Sequence, residues 1–374
     1  MTKKKNKANV SIVTSRVFNA IASIASGVII ILFLLSVGSM WISPVRLVTP
    51  AFLGLVFPIL LFFQALVTIY WLLAGKWRWI VACLVVLLLS FSAIKVYTPL
   101  HRFSADKLPQ DHIKVLSYNV MAFGFLEHNA MSPNPILQYL KNSDADIICL
   151  QEAKLYSEDT PYVSLEDIKE YLIDYKYIDF NYAQPDGGTG MMILSKFPIL
   201  KAERIRLEST FNGAMKYILN VKGKDMMVIN CHLESFKLTM QDGYSYLRMA
   251  KAGDAKGLRE SMGGKFAPAY RRRAIQANHI HEAVLRSPVK NVLVCGDFND
   301  TPISYARHKI AEGMRDAYMD TGYGPGYSFN KGMYIVRIDH IMCSPGMRPY
   351  GCRVDQSIKI SDHQPIMSYF TFEP

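Results

Sequence analysis

The chain has 374 residues, a formal net charge of +11 and a pI near 9.2, enough for two domains or one large domain with an appendage. The excess charge is local: the first hundred residues hold nine Lys/Arg and no Asp/Glu, leaving 33 basic against 31 acidic residues, a net +2, for residues 101–374. The high pI is therefore no argument for nucleic-acid binding by the remainder of the chain.

In chain order, three long apolar runs come first, at 21–41, 47–74 and 79–94, almost free of charge. Each approaches the roughly 20 residues of a bilayer-spanning helix, the third only with its flanks. Trp and Tyr near their ends fit interfacial anchoring, and three runs in series read as an anchor rather than a signal peptide or buried core helices. The expectation is a membrane unit over 1–98, with spans at about 18–41, 48–74 and 77–97. Lys3, Lys4, Lys5, Lys7 and Arg16 precede the first run and Lys76 and Arg78 follow the second, whereas Arg46 alone sits in the other loop. The positive-inside rule then places the N-terminus in the cytoplasm. With three spans the protein is a multi-pass protein of the cell inner membrane, and everything after about residue 98 is extracytoplasmic. Five cysteines in that part, with Cys149, Cys231 and Cys295 in apolar runs, read as buried free thiols, which weighs mildly against an oxidising compartment.

Residues 99–111 are polar and flanked by proline and read as a linker. Beyond them strand-like and helix-like stretches alternate. Strands are expected at 113–120, 146–152, 190–199, 289–299, 334–344, 350–360 and 365–373, with a hairpin over 216–234 turning at Lys222–Asp225. Helices are expected at 132–143, at 164–172 with Ser164 and Asp167 poised for capping, and through 269–285. This mixture suggests two packed sheets covered by helices, with the topology left open. Gly187, Gly188 and Gly190 suggest a loop or close backbone approach.

Each apolar strand ends in a particular polar residue. Asn119 closes LSYN, Glu152 closes CLQE, His232 follows VINC, and Asp297 and Asn299 follow VLVCG. Asp339 lies in RIDHIM, and Asp362 and His363 in ISDHQP. Singly each has a bland reading as a turn, a solvated end or a core histidine. Carboxylates, amides and imidazoles gathered without a cysteine or paired-histidine signature favour a hard, oxygen-loving cation such as magnesium, the equipment for phosphoester hydrolysis.

Here the chain resembles the endonuclease/exonuclease/phosphatase superfamily. The resemblance covers about residues 112–374 and rests on LSYNV, LQE, GMMILSKFPI, NCHLES, GDFN, RIDHI and SDHQP, in the family's order. It implies a four-layered α/β sandwich, two mixed β-sheets flanked by helices, as the catalytic domain at 112–374. It further implies Glu152 as main metal ligand with Asn119 and Asp362 close to the ion, and magnesium, or manganese in its place, as cofactor. Asp297 would orient or deprotonate the attacking water and Asn299 would position it. His363, held by Asp339, would contact the phosphoryl oxygens, with His232 as a second imidazole. His232 in NCHLES resembles the deoxyribonuclease, sphingomyelinase and phosphatase branches, and the PxWCDR-like segment of inositol polyphosphate phosphatases is absent. The expected substrate is a phosphate ester, in a nucleic acid or a phospholipid head group, and a phosphomonoester is the alternative; no protein partner is expected. A non-catalytic receptor on the same fold is the rival from another class, and it would have lost ligands that are present here.

Two stretches stay outside this scheme. Arg271, Arg272 and Arg273 could clamp a phosphate, but at a helix start they read better as a solvated or packing face. Tyr244, Tyr246, Arg248 and 263–270 fall in an insertion beside the His232 strand, a place where substrate choice is commonly set.

Overall fold

The structure, a computed structural model, describes residues 2–182, 188–209, 212–331 and 334–373; Gly187 of the glycine-rich loop lies outside them. In chain order the strands are β1 (Ile113–Asn119), β2 (Ile147–Ala153), β3 (Tyr177–Tyr182), β4 (Gly190–Ser195), β5 (Ile199–Ile205), β6 (Gly213–Val221), β7 (Lys224–His232), β8 (Asn291–Asp297), β9 (Arg315–Asp316), β10 (Phe329–Lys331), β11 (Tyr334–Val336), β12 (Asp339–Cys343), β13 (Met347–Val354) and β14 (Ile366–Phe372). The helices are α1 (Thr2–Gly38), α2 (Thr49–Leu55), α3 (Phe57–Leu73), α4 (Trp77–Leu89), α5 (Phe91–Tyr97), α6 (Pro135–Ser143), α7 (Leu165–Tyr171), α8 (Met240–Lys251), α9 (Ala255–Leu285), α10 (Tyr305–Ala311) and α11 (Ala317–Thr321).

Two six-stranded mixed sheets form, in the orders β13-β14-β1-β2-β4-β3 and β5-β6-β7-β8-β12-β9, with β10 and β11 as a separate hairpin. In each sheet one central pair is parallel, β1 with β2 and β7 with β8. The sheets pack face to face through alternate residues such as Val115, Cys149, Ile193, Tyr217, Val228, Leu293, Cys295 and Ile341, all buried. Their other faces are covered too. Leu137 and Leu140 of α6 and Ile168 of α7 pack on Leu116, Ile148 and Leu194. On the second sheet, Ala277 and Ile280 of α9 and Ile310 of α10 pack on Ile229, Val294 and Met342. Runs such as VLVC and IICL are continuously apolar because helices bury one face and the partner sheet the other.

Local chemistry explains the ends of these elements. Ser164 and Asp167 form the expected capping box of α7, and Asn134 caps α6. The hairpin between β6 and β7 turns on Lys222 and Gly223, both at positive φ, as a tight two-residue turn requires. The segment 334–344, read as one strand, is two: β11 pairs with β10, while β12 joins the second sheet. The break falls at Arg337 and Ile338, where Ser328 Oγ captures the backbone N–H of Ile338 and of Asp339, each at 3.1 Å. The six cysteines are buried and unpaired.

At the N-terminus, Val17–Gly38 of α1 forms a helix long and apolar enough to cross a membrane. The other two expected spans are each broken: α2 and α3 meet at 76°, and α4 and α5 at 53°. Pro58, in the first turn of α3, cannot donate to Gly54 and its ring crowds that carbonyl, so the helix cannot run through Val56. At Ser90 the hydroxyl bonds back to Val86 O at 2.8 Å, a local competitor of the helical ladder. Residues 99–111 lie along the domain: Leu100 pairs with Tyr323, and Phe103 stacks on Tyr369 at 6.0 Å.

Candidate active site

The strand ends named from the sequence converge at one edge of the two sheets. In the second sheet His232, Asp297 and Asp339 lie side by side on adjacent strands, because β7 pairs His232 with Asp297 and β12 pairs Asp339 with Asp297. Cross-strand partners point to the same face, so these three continue the inward series Leu293, Cys295, Asp297. In the first sheet Asn119 pairs with Gln151 at the ends of β1 and β2. Beneath lies a buried polar layer, in which Gln151 Nε2 donates to Asn230 Oδ1 (2.7 Å) and Ser117 Oγ (3.1 Å).

Strict alternation would turn Glu152 away from this face, since Gln151 already points inward. A register shift between Leu150 and Ala153, with Glu152 at φ 51°, brings it back. Asn119 Nδ2 then donates to Glu152 Oε1 (3.2 Å) and to Asp297 Oδ2 (3.1 Å), which ties the two sheets together. Gly296 permits the close approach of β7 and β8: at φ +139° its added Cβ would stand 1.9 Å from Cys231 O.

Asp297 is the hub. Its Oδ1 accepts the backbone N–H of Asn299 (2.8 Å), and its Oδ2 accepts Asn299 Nδ2 (3.2 Å). Asn299 sits at φ 52° and also donates to Leu233 O at 2.9 Å, so its amide is aimed from a left-handed turn that Asn tolerates. His232 Nε2 stands 3.6 Å from both Glu152 and Asp297, and His363 Nε2 stands 3.5 Å from Asp297. The other ring nitrogen of His363 meets Asp339 Oδ2 at 2.9 Å, and Ser328 Oγ donates to that same oxygen at 2.7 Å. Ser361 fixes the turn: its hydroxyl donates to Asn119 O (2.7 Å) and accepts the His363 N–H (3.1 Å).

Asp297, Asp339 and His363 are almost fully buried, while the Glu152 side chain remains about one-third exposed at 35%. Burial, opposed first by His363, leaves the Asp297 carboxyl above its ordinary value. Burial disfavours a charged His363, but Asp339 and then Asp297 outweigh it and push its pKa up to about 10. The site thus favours an imidazolium between two carboxylates, an oriented cation suited to an anionic ligand.

Two donor sets offer themselves to a cation. Ligand atoms of Asp297, Asp339 and His363 all lie within 4.8 Å of one another. His363 and Asp339 already satisfy each other, however, whereas the Glu152 carboxylate is partly exposed beside Asn119. Asp339 Oδ1 and His232 Nε2 are buried without a hydrogen-bond partner among the described residues, as expected of groups that await a ligand. A hard divalent cation fits this oxygen-rich set. Asp362 is placed differently from its neighbours: its Oδ2 accepts Lys331 Nζ at 2.9 Å, and its carbonyl accepts the Asn330 N–H at 3.0 Å.

Of the three arginines, Arg271 and Arg272 are exposed, while Arg273 is fully buried and pairs with Asp300 at 3.1 Å. The insertion folds as α8 and the first half of α9, with Tyr246 and Phe266 buried and Tyr244 exposed. Arg273 meets the packing half of the expectation for the three arginines, while Ser328 and Ser361 escaped sequence reading. Nothing in their immediate neighbours distinguishes them from ordinary turn residues.

The Endonuclease/Exonuclease/phosphatase family matches residues 116–363, and a domain of unknown function (DUF8431) matches residues 19–97. No curated protein sequence matches the chain. Among solved structures, D. rerio TDP2 complexed with single strand DNA product is similar at 17% identity, over 70% of this chain and 100% of that chain, with a TM-score of 0.50. The human Nocturnin catalytic domain with bound sulfate anion is similar at 18% identity, over 70% of this chain and 95% of that chain, with a TM-score of 0.50. These likenesses are of fold.

Proposed function

The chain belongs to the endonuclease/exonuclease/phosphatase family, and from that premise we propose that it is a membrane-anchored, divalent-metal-dependent phosphoric-ester hydrolase of the phosphodiesterase type. The observation that carries this reading is the position of Asp297, a buried carboxylate faced at once by Asn119, Asn299, His232 and His363. In this reading Asp297 takes a proton from the attacking water, and Asn299, fixed by Leu233 O, holds that water in line. His363, oriented and kept protonated by Asp339, donates to the phosphoryl oxygens as charge builds there. His232 donates to the phosphate or to the departing oxygen. Glu152 and Asn119 would hold the cation, magnesium or manganese, with Asp362 joining if it gives up Lys331; when bound, the ion supplies Lewis-acid polarisation of the phosphate.

The domain plan that accompanies this reading is an anchor over 1–98, a segment 99–111 and a catalytic domain over 112–374. Three spans, the second and third bent, would carry the N-terminus inside and the catalytic domain outside the inner membrane. A lipid head group as the phosphoester is favoured by one observation: Ser39, at the end of the first apolar helix, donates to Ile303 O at 2.7 Å, four residues beyond Asn299. With the first apolar helix in a membrane, that contact would hold the site near the bilayer surface.

The test is hydrolysis by the full chain in detergent and in phospholipid vesicles. Substrates are bis(4-nitrophenyl) phosphate, single-stranded DNA, RNA and sphingomyelin, with magnesium or with EDTA. Metal-dependent turnover of at least one is expected, and inertness toward all of them with metal present would sink the proposal.

A further inference from the structure

Two buried arginines join the N-terminal helices to the residues that surround Asp297. The first is Arg337, two residues before Asp339. Helix α5 ends at Tyr97, and its last carbonyls have no partner within the helix. Arg337 Nη2 donates to Val96 O at 2.5 Å and its Nη1 to Tyr97 O at 3.4 Å, so the guanidinium caps that helix end with a cation. It also donates to Pro325 O and lies 4.1 Å over the Tyr318 ring. Pro325 leads into Ser328, whose hydroxyl donates to Asp339 Oδ2 and accepts the Asp339 N–H. One side chain therefore fixes the end of α5, the 325–328 turn and the start of the strand that carries the partner of His363.

The second is Arg273 on α9. Its Nη1 donates to Asn299 O and pairs with Asp300 at 3.1 Å, and its guanidinium lies 4.1 Å over Phe236 and 4.9 Å over Tyr270. Tyr270 in turn receives Phe52 of α2, edge-on at 5.5 Å, and Phe52 also meets Phe266 at 6.0 Å. The turn that holds Asn299 at positive φ is thus gripped by a residue of α9 whose stacking partner Tyr270 meets Phe52 of α2, the helix that breaks from α3.

Stability does not call for arginine in either place. Arg273 leaves Nε and Nη2, and Arg337 leaves Nε, without a hydrogen-bond partner among the described residues. Burying a guanidinium so incompletely paired is unfavourable, and a well-packed apolar side chain is often as stable or more so. What arginine alone supplies is a rigid fork that fixes several carbonyls in one plane.

We infer that the N-terminal helices are a working part of the active site, and that Arg337 and Arg273 are positioning residues that transmit their docking to Asp339 and Asn299. The inference rests on the hydrolase reading given above.

The test uses the full chain in detergent micelles with magnesium and bis(4-nitrophenyl) phosphate. Arg337→Gln is expected to lower kcat by about 100-fold with KM changed by less than about threefold, the pattern of a misplaced group rather than of lost binding. Arg337→Lys recovers part of that loss. Phe52→Ala, which touches no residue of the site, lowers kcat by about tenfold. Amide hydrogen exchange in the same samples should quicken over 325–340 in Arg337→Gln and over 297–303 in Phe52→Ala. Folded variants with wild-type kcat, or unchanged exchange over these segments, overturn the inference. If Arg337→Gln does not fold, Phe52→Ala decides alone. If the wild-type chain hydrolyses nothing, the hydrolase reading falls, and the exchange data still decide whether the helices are coupled to the site.

Discussion

Replacing Asp339 by Asn tests the electrostatics of the site with little change of shape. In the wild type His363 Nδ1 meets Asp339 Oδ2 at 2.9 Å and its Nε2 stands 3.5 Å from Asp297, and together they hold its pKa at about 10 against the effect of burial. Relative to an ordinary histidine at roughly 6.5 this favours the imidazolium by about 5 kcal/mol. One opposite charge at this range shifts a pKa by about 1–3 units, so the variant should titrate that much lower, with Asp297 supplying what remains. The assay is an NMR titration of the histidine rings in metal-free full-length protein. The sign for stability follows: His363's contribution is fully present below about 6.5, its unfolded value, and is lost as pH rises through about 10. In Asp339→Asn that contribution is smaller, so the acid-side advantage over alkaline solution shrinks. Turnover of a phosphodiester should fall by about 10²–10⁴-fold, the usual contribution of a positioned proton donor. A His363 midpoint that stays near 10 in the variant would refute the claim that Asp339 holds the ring charged.

Other outcomes follow from the same geometry. Gly296→Ala places a Cβ 1.9 Å from Cys231 O on a neighbouring strand, and the expected loss is about 3 kcal/mol or outright failure to fold, read by urea denaturation. Arg307→Met breaks the buried pair with Asp316 and leaves an uncompensated carboxylate, at a cost of about 3–5 kcal/mol; a denaturation midpoint within error of wild type would contradict it. Burial raises the Asp316 carboxyl, but Arg307 first, then His340, Arg337 and the Met319 N–H, outweigh it and bring it to about 2, so its stabilisation is complete above about 4 and is lost as pH falls toward 2. That acid limb should be weaker in Arg307→Met.

The strand ends were legible because an apolar run that stops at Asn, Glu, His or Asp is unusual in both composition and place. Asn119, His232, Asp297 and Asp339 needed only the register of two sheets to meet, and a parallel β7–β8 pair with antiparallel β12 supplies it. Glu152 meets them through a bulge at positive φ, which an alternation pattern cannot reveal. Asp362 stands next to His363 in sequence, yet its charge is taken by Lys331 from the β10–β11 hairpin, a contact 31 residues distant. RIDHI read as the middle of one strand because Arg337 and Ile338 fit a strand by composition; tertiary hydrogen bonds to Ser328 end it there. Apolar runs gave the lengths of the N-terminal helices but not the bends at Val56 and Ser90. Arg273 read as part of a solvated or packing face, and the packing of Phe236, Tyr270 and Asp300 around it decides for the interior.

The most direct measurement is steady-state hydrolysis of bis(4-nitrophenyl) phosphate by the full chain and by its Asp297→Asn variant, each with magnesium and with EDTA. The wild type should turn over only with the metal, and Asp297→Asn should lose about 10²–10⁴-fold in kcat while remaining folded. Wild-type turnover in EDTA, or an Asp297→Asn variant as active as the wild type, would contradict the placing of Asp297 at the centre of a metal-dependent phosphoester hydrolase.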